Sequence, residues 1–141
     1  MEYYYEDNSL IIKLKGKLHE RIILYYANYK NHIKYKHTEI TMKKIEEILK
    51  EPDYIYKPSK NNKYYYYEKN FGLETYRVVI GKYKRHVKCV ITAYNIKDEG
   101  DFTVKHALCV YDKNTYKDYE DIQKELENDI DYFYEIFNIA E

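Results

Sequence analysis

Residues 64–96 read YYYYEKNFGLETYRVVIGKYKRHVKCVITAYNI. Three runs rich in Tyr, Val, Ile and Thr stand here: Tyr64 to Lys69, Thr75 to Ile80, and Val87 to Ile96. Such residues suit a pleated, half-buried surface. Phe71-Gly72 closes the first run, and short polar stretches separate the others. Runs joined this tightly predict antiparallel neighbours. Downstream, Asp98-Glu99-Gly100-Asp101 is turn chemistry, Phe102 to Tyr111 reads as a last strand, and residues 116–139 read as a long helix. In that helix Tyr119, Ile122, Leu126, Ile130, Phe133 and Phe137 lie three or four apart. Upstream, Tyr54-Ile55-Tyr56 is a brief strand before the turn residues Pro58 to Asn62. Thr41 is an N-cap for a helix bearing Ile45, Ile48 and Leu49, and Pro52 ends it. Leu18, Ile22, Ile23, Tyr25, Tyr26 and Tyr29 recur at helical spacing, which predicts a helix over 18–29. Leu10 to Leu14 reads as a strand paired with Tyr3 to Glu6. The expected fold is α+β: an antiparallel meander sheet, N-terminal helices on one face, and a C-terminal amphipathic acidic helix.

The chain has 141 residues, with 24 Lys+Arg, 24 Asp+Glu and 45% hydrophobic residues. That length and apolar content suit one folded domain over 1–141. Zero net charge excludes a uniformly basic nucleic-acid binder and a uniformly acidic disordered chain. No apolar run approaches the ~20 residues of a membrane helix, so no membrane partner is expected. Met1-Glu2-Tyr3-Tyr4-Tyr5 carries no cationic stretch followed by an apolar one, so no secretory leader is expected. Cys89 and Cys109 fit no metal-ligand spacing. The expectation is a reduced, cytoplasmic protein.

Zero net charge conceals a division. Residues 1–97 hold 20 basic and 11 acidic residues, a surplus of nine positive charges, and residues 98–141 reverse it with 4 and 13. The first two-thirds suits a polyanion. The acidic segment is either the solvated face of a helix or a screen for the basic part. Tyrosine is abundant, 21 residues against four Phe and no Trp. Codon bias that raises Tyr, Lys, Ile and Asn together accounts for much of this, yet each ring remains an apolar body with a polar tip.

Two groups can carry chemistry. His32, Lys36 and His37 form the densest titratable group. Two imidazoles can exchange protons near neutral pH, and an ammonium can steady an oxyanion. A metal bound by His32, His37 and Glu39 is disfavoured, because no i, i+4 His pair and no Cys supports it. The strands carry the second group: Tyr64, Tyr66, Lys69, Arg77, Thr92 and Tyr94. Such residues on one sheet face would suit a phosphate and a base, or else pack ordinarily across strands. Four glycines, at 16, 72, 81 and 100, cannot build a phosphate loop, and no Gly-x-Ser-x-Gly elbow exists.

The ordered set His32-Ile33-x-x-Lys36-His37-x-Glu39-Ile40, Ile45-x-x-Ile48-Leu49-x-x-Pro52-Asp53-Tyr54-Ile55, Arg77-Val78-Val79-Ile80 and Val90-Ile91-Thr92-Ala93-Tyr94 resembles the phage-associated and toxin nuclease domains of the barnase–EndoU–colicin–RelE superfamily. The resemblance covers about residues 30–96; the acidic extension 98–141 lies outside it. It implies a metal-independent ribonuclease of toxin type, without cofactor, in which the ribose 2′-OH attacks the adjacent phosphate and leaves a 2′,3′-cyclic phosphate. It implies RNA and a cognate immunity or antitoxin protein as partners. Carried over by position, His32, His37, Thr92 and Tyr94 are the catalytic candidates, and Lys36, Tyr64, Tyr66, Lys69 and Arg77 the substrate-binding ones. Thr38 stands where the family often has Pro, and Lys36 where it often has Arg. Lys cannot clamp a phosphate bidentately. A non-catalytic RNA- or protein-binding module on a degenerate nuclease fold is the alternative.

Overall fold

The computed structural model describes residues 1–61, 63–99 and 108–115. Eight strands form one sheet in the order β1-β2-β3-β7-β6-β5-β4-β8. They are β1 (Glu2–Glu6), β2 (Ser9–Leu14), β3 (Ile22–Tyr25), β4 (Tyr54–Lys57), β5 (Tyr65–Phe71), β6 (Glu74–Lys84), β7 (Val87–Asn95) and β8 (Leu108–Asp112). Between β3 and β4 run α1 (Tyr26–Asn28), a π-helical turn (Tyr29–Ile33), α2 (Lys34–Lys36) and α3 (Met42–Lys50). The fold is therefore α+β with a mostly antiparallel sheet, as the turn signals imply. The expected helix over 116–139, and residues 102–107 of the expected last strand, lie outside the described residues.

Local chemistry sets the hairpins. Asp7 and Asn8 both take positive φ, 50° and 65°, and close the β1–β2 register between Glu6 and Ser9. Two central residues with positive φ match the right-handed twist of the flanking strands. Gly72, at φ 71°, plays the same part between Phe71 and Glu74. Thr41 caps α3: its Oγ1 accepts the Lys44 N–H at 3.1 Å.

One expected helix is a strand. Ile22–Tyr25 pairs antiparallel with β2 and parallel with β7. Ile22, Ile23 and Leu24 are all buried, so both faces of this strand are covered. A contiguous apolar run of this kind suits a central strand. The helical spacing from Leu18 to Tyr29 arose because this strand runs straight into α1. The β3–β7 pairing also makes the sheet mixed rather than a pure meander.

The core lies on one sheet face. Ile12, Leu14, Ile22, Leu24, Ile55, Tyr67, Val78, Ile80 and Val90 pack there against Tyr29 and Ile33 of the π-helical turn and Ile45, Ile48 and Leu49 of α3. A β-bulge decides what the other face carries. Val79 pairs with Thr92, whereas Ile80 pairs with Val90, so Ile91 is an extra residue in β7. The bulge inverts the alternation. Val90 and Ala93 both reach the core, while Thr92 and Tyr94 share the opposite face with Val79 and Arg77.

Gly16 shows how tightly the loop before β3 is packed. A Cβ there would lie 2.6 Å from Ile22 Cδ1, 2.8 Å from the Tyr67 hydroxyl and 3.2 Å from the His19 carbonyl. Gly16→Ala is expected to lose about 1–3 kcal/mol by overpacking. Urea unfolding checks this, and an unchanged midpoint would contradict it.

Candidate functional site

Register assembles a polar row across the sheet face opposite the main core. Glu68 of β5 pairs with Arg77 of β6, which pairs with Tyr94 of β7. Arg77 is 0% exposed, Glu68 4% and Tyr94 8%. The guanidinium donates from Nε to Glu68 Oε2 at 2.8 Å, and Nη2 lies 2.7 Å from the same oxygen. Nη1 donates to the Tyr94 hydroxyl at 3.1 Å. The Tyr66 ring stacks against the guanidinium, its centroid 4.6 Å from Cζ. Burial pushes the Glu68 carboxyl up, and the Arg77 charge opposes that shift only in part. Burial, then the neighbouring Tyr94, raises the Tyr66 phenol.

His37 joins this group from the helical side. Its backbone leaves the helix at the end of α2, with φ −133° and ψ 78°. Its amide donates to the Ile33 carbonyl at 2.9 Å, and its carbonyl accepts from Ile40 at 3.0 Å. The half-buried ring lies 6.3 Å from the Tyr94 ring, centroid to centroid. Thr92 lies on the same sheet face as Tyr94, opposite Val79, and Tyr66 pairs with Val79 from the other side. The structure thus gathers His37, Tyr94, Thr92, Tyr66 and Arg77.

The other candidates are placed differently. His32 is exposed on the π-helical turn, one helical element before the backbone break at His37. Lys36 is exposed beside His37 in sequence. Lys69 is two residues from Tyr67 and so shares its core-side face; its Nζ donates to the Glu51 carbonyl at 2.8 Å, at the end of α3. Lys69 is therefore not part of the Arg77 group, because strand alternation sends it through the sheet. Tyr64 packs its ring over Gly81, beside a shallow depression of about 370 Å³ lined by Asn61, Lys63, Lys82 and Ile91. Asp53, in the Pro-Asp-Tyr-Ile segment, is structural: it accepts the Asn70 amide at 2.8 Å and pairs with Lys113 at 2.8 Å. Among the described residues no cluster of His, Cys, Asp and Glu could hold a metal, and Cys89 and Cys109 are not joined in a disulfide.

Two functional-looking residues escaped the sequence reading. Glu68 stood among tyrosines at the two-residue spacing of Tyr64 and Tyr66; only the register with Arg77 exposes its role. His19 gave no signal at all, being an isolated histidine before β3. Its Nδ1 lies 2.7 Å from the Tyr67 hydroxyl, which also accepts the Leu18 amide at 3.1 Å. The Tyr67 proton then points to Nδ1, and the neutral ring keeps its own proton on Nε2. Burial, with the Lys88 charge, holds the His19 pKa down at about 4.

A pH dependence follows. In the unfolded chain His19 takes up its proton near pH 6.5, whereas the folded protein refuses it until about pH 4. The unfolded state binds more protons between those values, so stability falls as the pH drops through that window. By pH 4.5 the loss from this group, discounted for its partial exposure, is about 2 kcal/mol. Denaturant unfolding at pH 7 and 4.5 should show that much less acid sensitivity in His19→Gln than in the wild type. Equal slopes would contradict the assignment.

No protein-family model matches this chain, and neither a curated protein nor a solved structure shows a significant match to it. Among the described residues no helix is long and apolar enough to cross a membrane.

Proposed function

We propose that this domain cleaves single-stranded RNA without a metal ion, in the manner of toxin ribonucleases of the barnase–EndoU–colicin–RelE kind. The observation that carries the reading is the approach of His37 to Tyr94, whose hydroxyl is held by Arg77 on the face that also bears Thr92. His37 takes the proton of the ribose 2′-OH. The 2′-oxygen then bonds to phosphorus, and the bond from phosphorus to the 5′-oxygen breaks. Tyr94 gives its proton to that leaving oxygen. Thr92 donates a hydrogen bond to a phosphate oxygen, and Lys36 supplies positive charge at the rim. General acid–base groups placed in this way typically contribute ~10²–10⁴-fold each. Arg77 is a positioning residue in this scheme, since its donors already serve Glu68 and Tyr94. An immunity or antitoxin protein is the partner such an activity calls for.

One observation favours the second reading, a non-catalytic RNA- or protein-binding module. The arginine of the group has its charge matched by Glu68 in a buried pair, which leaves the exposed Lys36, next to His37 in sequence, to supply a cation. Incubation with labelled single-stranded RNA in EDTA separates the two. Cleavage to 2′,3′-cyclic ends, undiminished by EDTA, is the expected result. RNA bound but left intact supports the RNA-binding module, and neither binding nor cleavage overturns both the ribonuclease and the RNA-binding module.

A further inference from the structure

The sheet face opposite the His37–Tyr94 group carries a second basic site. Lys82 of β6 and Lys88 of β7 are direct cross-strand partners. Tyr65 of β5 sits beside them on that face, and its ring is the common floor. Lys57 Nζ lies 5.2 Å from the ring centroid, and Lys88 Nζ 5.5 Å from it. The His19 ring meets it edge-on at 4.4 Å. Lys63 completes the group from the segment entering β5, close enough to act on Lys88. Burial, then the charges of Lys57, Lys82 and Lys63, lowers the Lys88 pKa. Among the described residues none of the four lysines has a carboxylate within ion-pair distance. Like charges held together over a half-buried ring cost free energy, which a polyanion would recover. Beside them, the neutral His19 keeps an Nε2–H donor, because Tyr67 occupies Nδ1.

We infer that Lys57, Lys63, Lys82 and Lys88, with His19 and Tyr65, form a binding site for closely spaced phosphate groups. This goes beyond the cleavage site, lies on the other side of the sheet, and stands whether or not RNA is cut. The phosphates come either from an RNA backbone or from a free polyphosphate. Ammonium groups are point-charge phosphate binders and need no fixed fork.

The test uses inorganic tripolyphosphate and a short 2′-O-methyl oligouridylate, which 2′-OH attack cannot cleave. Calorimetry on the full chain compares wild type with Lys57→Gln/Lys88→Gln. A second pair, Lys63→Gln/Lys82→Gln, changes only exposed side chains and guards against a folding defect. Lys43→Gln/Lys50→Gln on α3 is the charge-matched control. Each site pair should weaken tripolyphosphate at least about tenfold. Each should also flatten the dependence of log K on log salt for the oligonucleotide by about 1.4, two contacts at ~0.7 each on a single strand. Tripolyphosphate should move the His19 imidazole resonances. Oligonucleotide binding alone, with the same variant pattern, keeps the site and assigns it to the RNA backbone. Failure of both probes to bind, equal losses in the control, or His19 resonances unmoved by whichever probe binds would overturn the proposal.

Discussion

Arg77→Ala is expected to cost about 3–5 kcal/mol of folding stability, the largest single effect among these residues. The Arg77 side chain is fully buried and puts two nitrogens on one oxygen of Glu68, which is itself 4% exposed. Removing the guanidinium strands a buried carboxylate and takes away the donor that holds the Tyr94 hydroxyl. It also removes the cation against which the Tyr66 ring stacks. Deleting both charges together is a different matter. In Glu68→Leu/Arg77→Met the face keeps its volume and loses the need for pairing, so most of the stability should return. Urea unfolding of the two variants makes the comparison. A loss below about 1 kcal/mol in Arg77→Ala would mean that the pair is solvated and that its burial carries no energetic weight.

His37→Ala is expected to lower RNA cleavage by at least ~10²-fold while leaving the unfolding midpoint nearly unchanged. The imidazole is half-buried and stands outside the buried apolar core, so its loss is a chemical change more than a structural one. Tyr94→Phe should lower the rate comparably, since it keeps the ring and removes only the hydroxyl that gives up the proton in the proposed transfer. His32→Ala is the internal contrast. His32 lies exposed on the π-helical turn and takes no step in the proposed transfer, so its loss should change the rate less than about tenfold. If His32→Ala abolishes cleavage and His37→Ala does not, the site is centred on the wrong histidine.

Much of the strand plan was legible because turn chemistry is local. Asp7-Asn8, Gly72 and Pro52 mark breaks whose backbone reasons lie within a few residues. The helix capped by Thr41 was legible for the same reason, since its cap bond spans three residues. The segment 18–29 was misread because Ile22, Ile23 and Leu24 satisfy a helical period and a buried strand equally. Only the long-range pairing with Lys88 and Cys89 decides between them. For the site, residue types singled out His37, Arg77 and Tyr94, which meet in the fold, and Thr92, which shares the sheet face of Tyr94. Lys69 was misplaced, and Glu68 and His19 were missed.

What the sequence by itself determined is the strands set off by local turns, one capped helix and the stock of chemistry: tyrosine-rich strands and a basic first two-thirds. Those properties depend on near neighbours and on totals. Tertiary structure alone decided which side chains meet. The extra residue Ile91 inverts the alternation of β7, sends Ala93 into the core and turns Thr92 and Tyr94 toward Arg77. The register of β5 on β6 places Glu68 against that arginine. The break after α2 lets His37 reach Tyr94 while His32 stays on the helix. The bulge and the register each depend on a one-residue shift between paired strands, and a shift of one residue in a strand moves a side chain to the other face of the sheet.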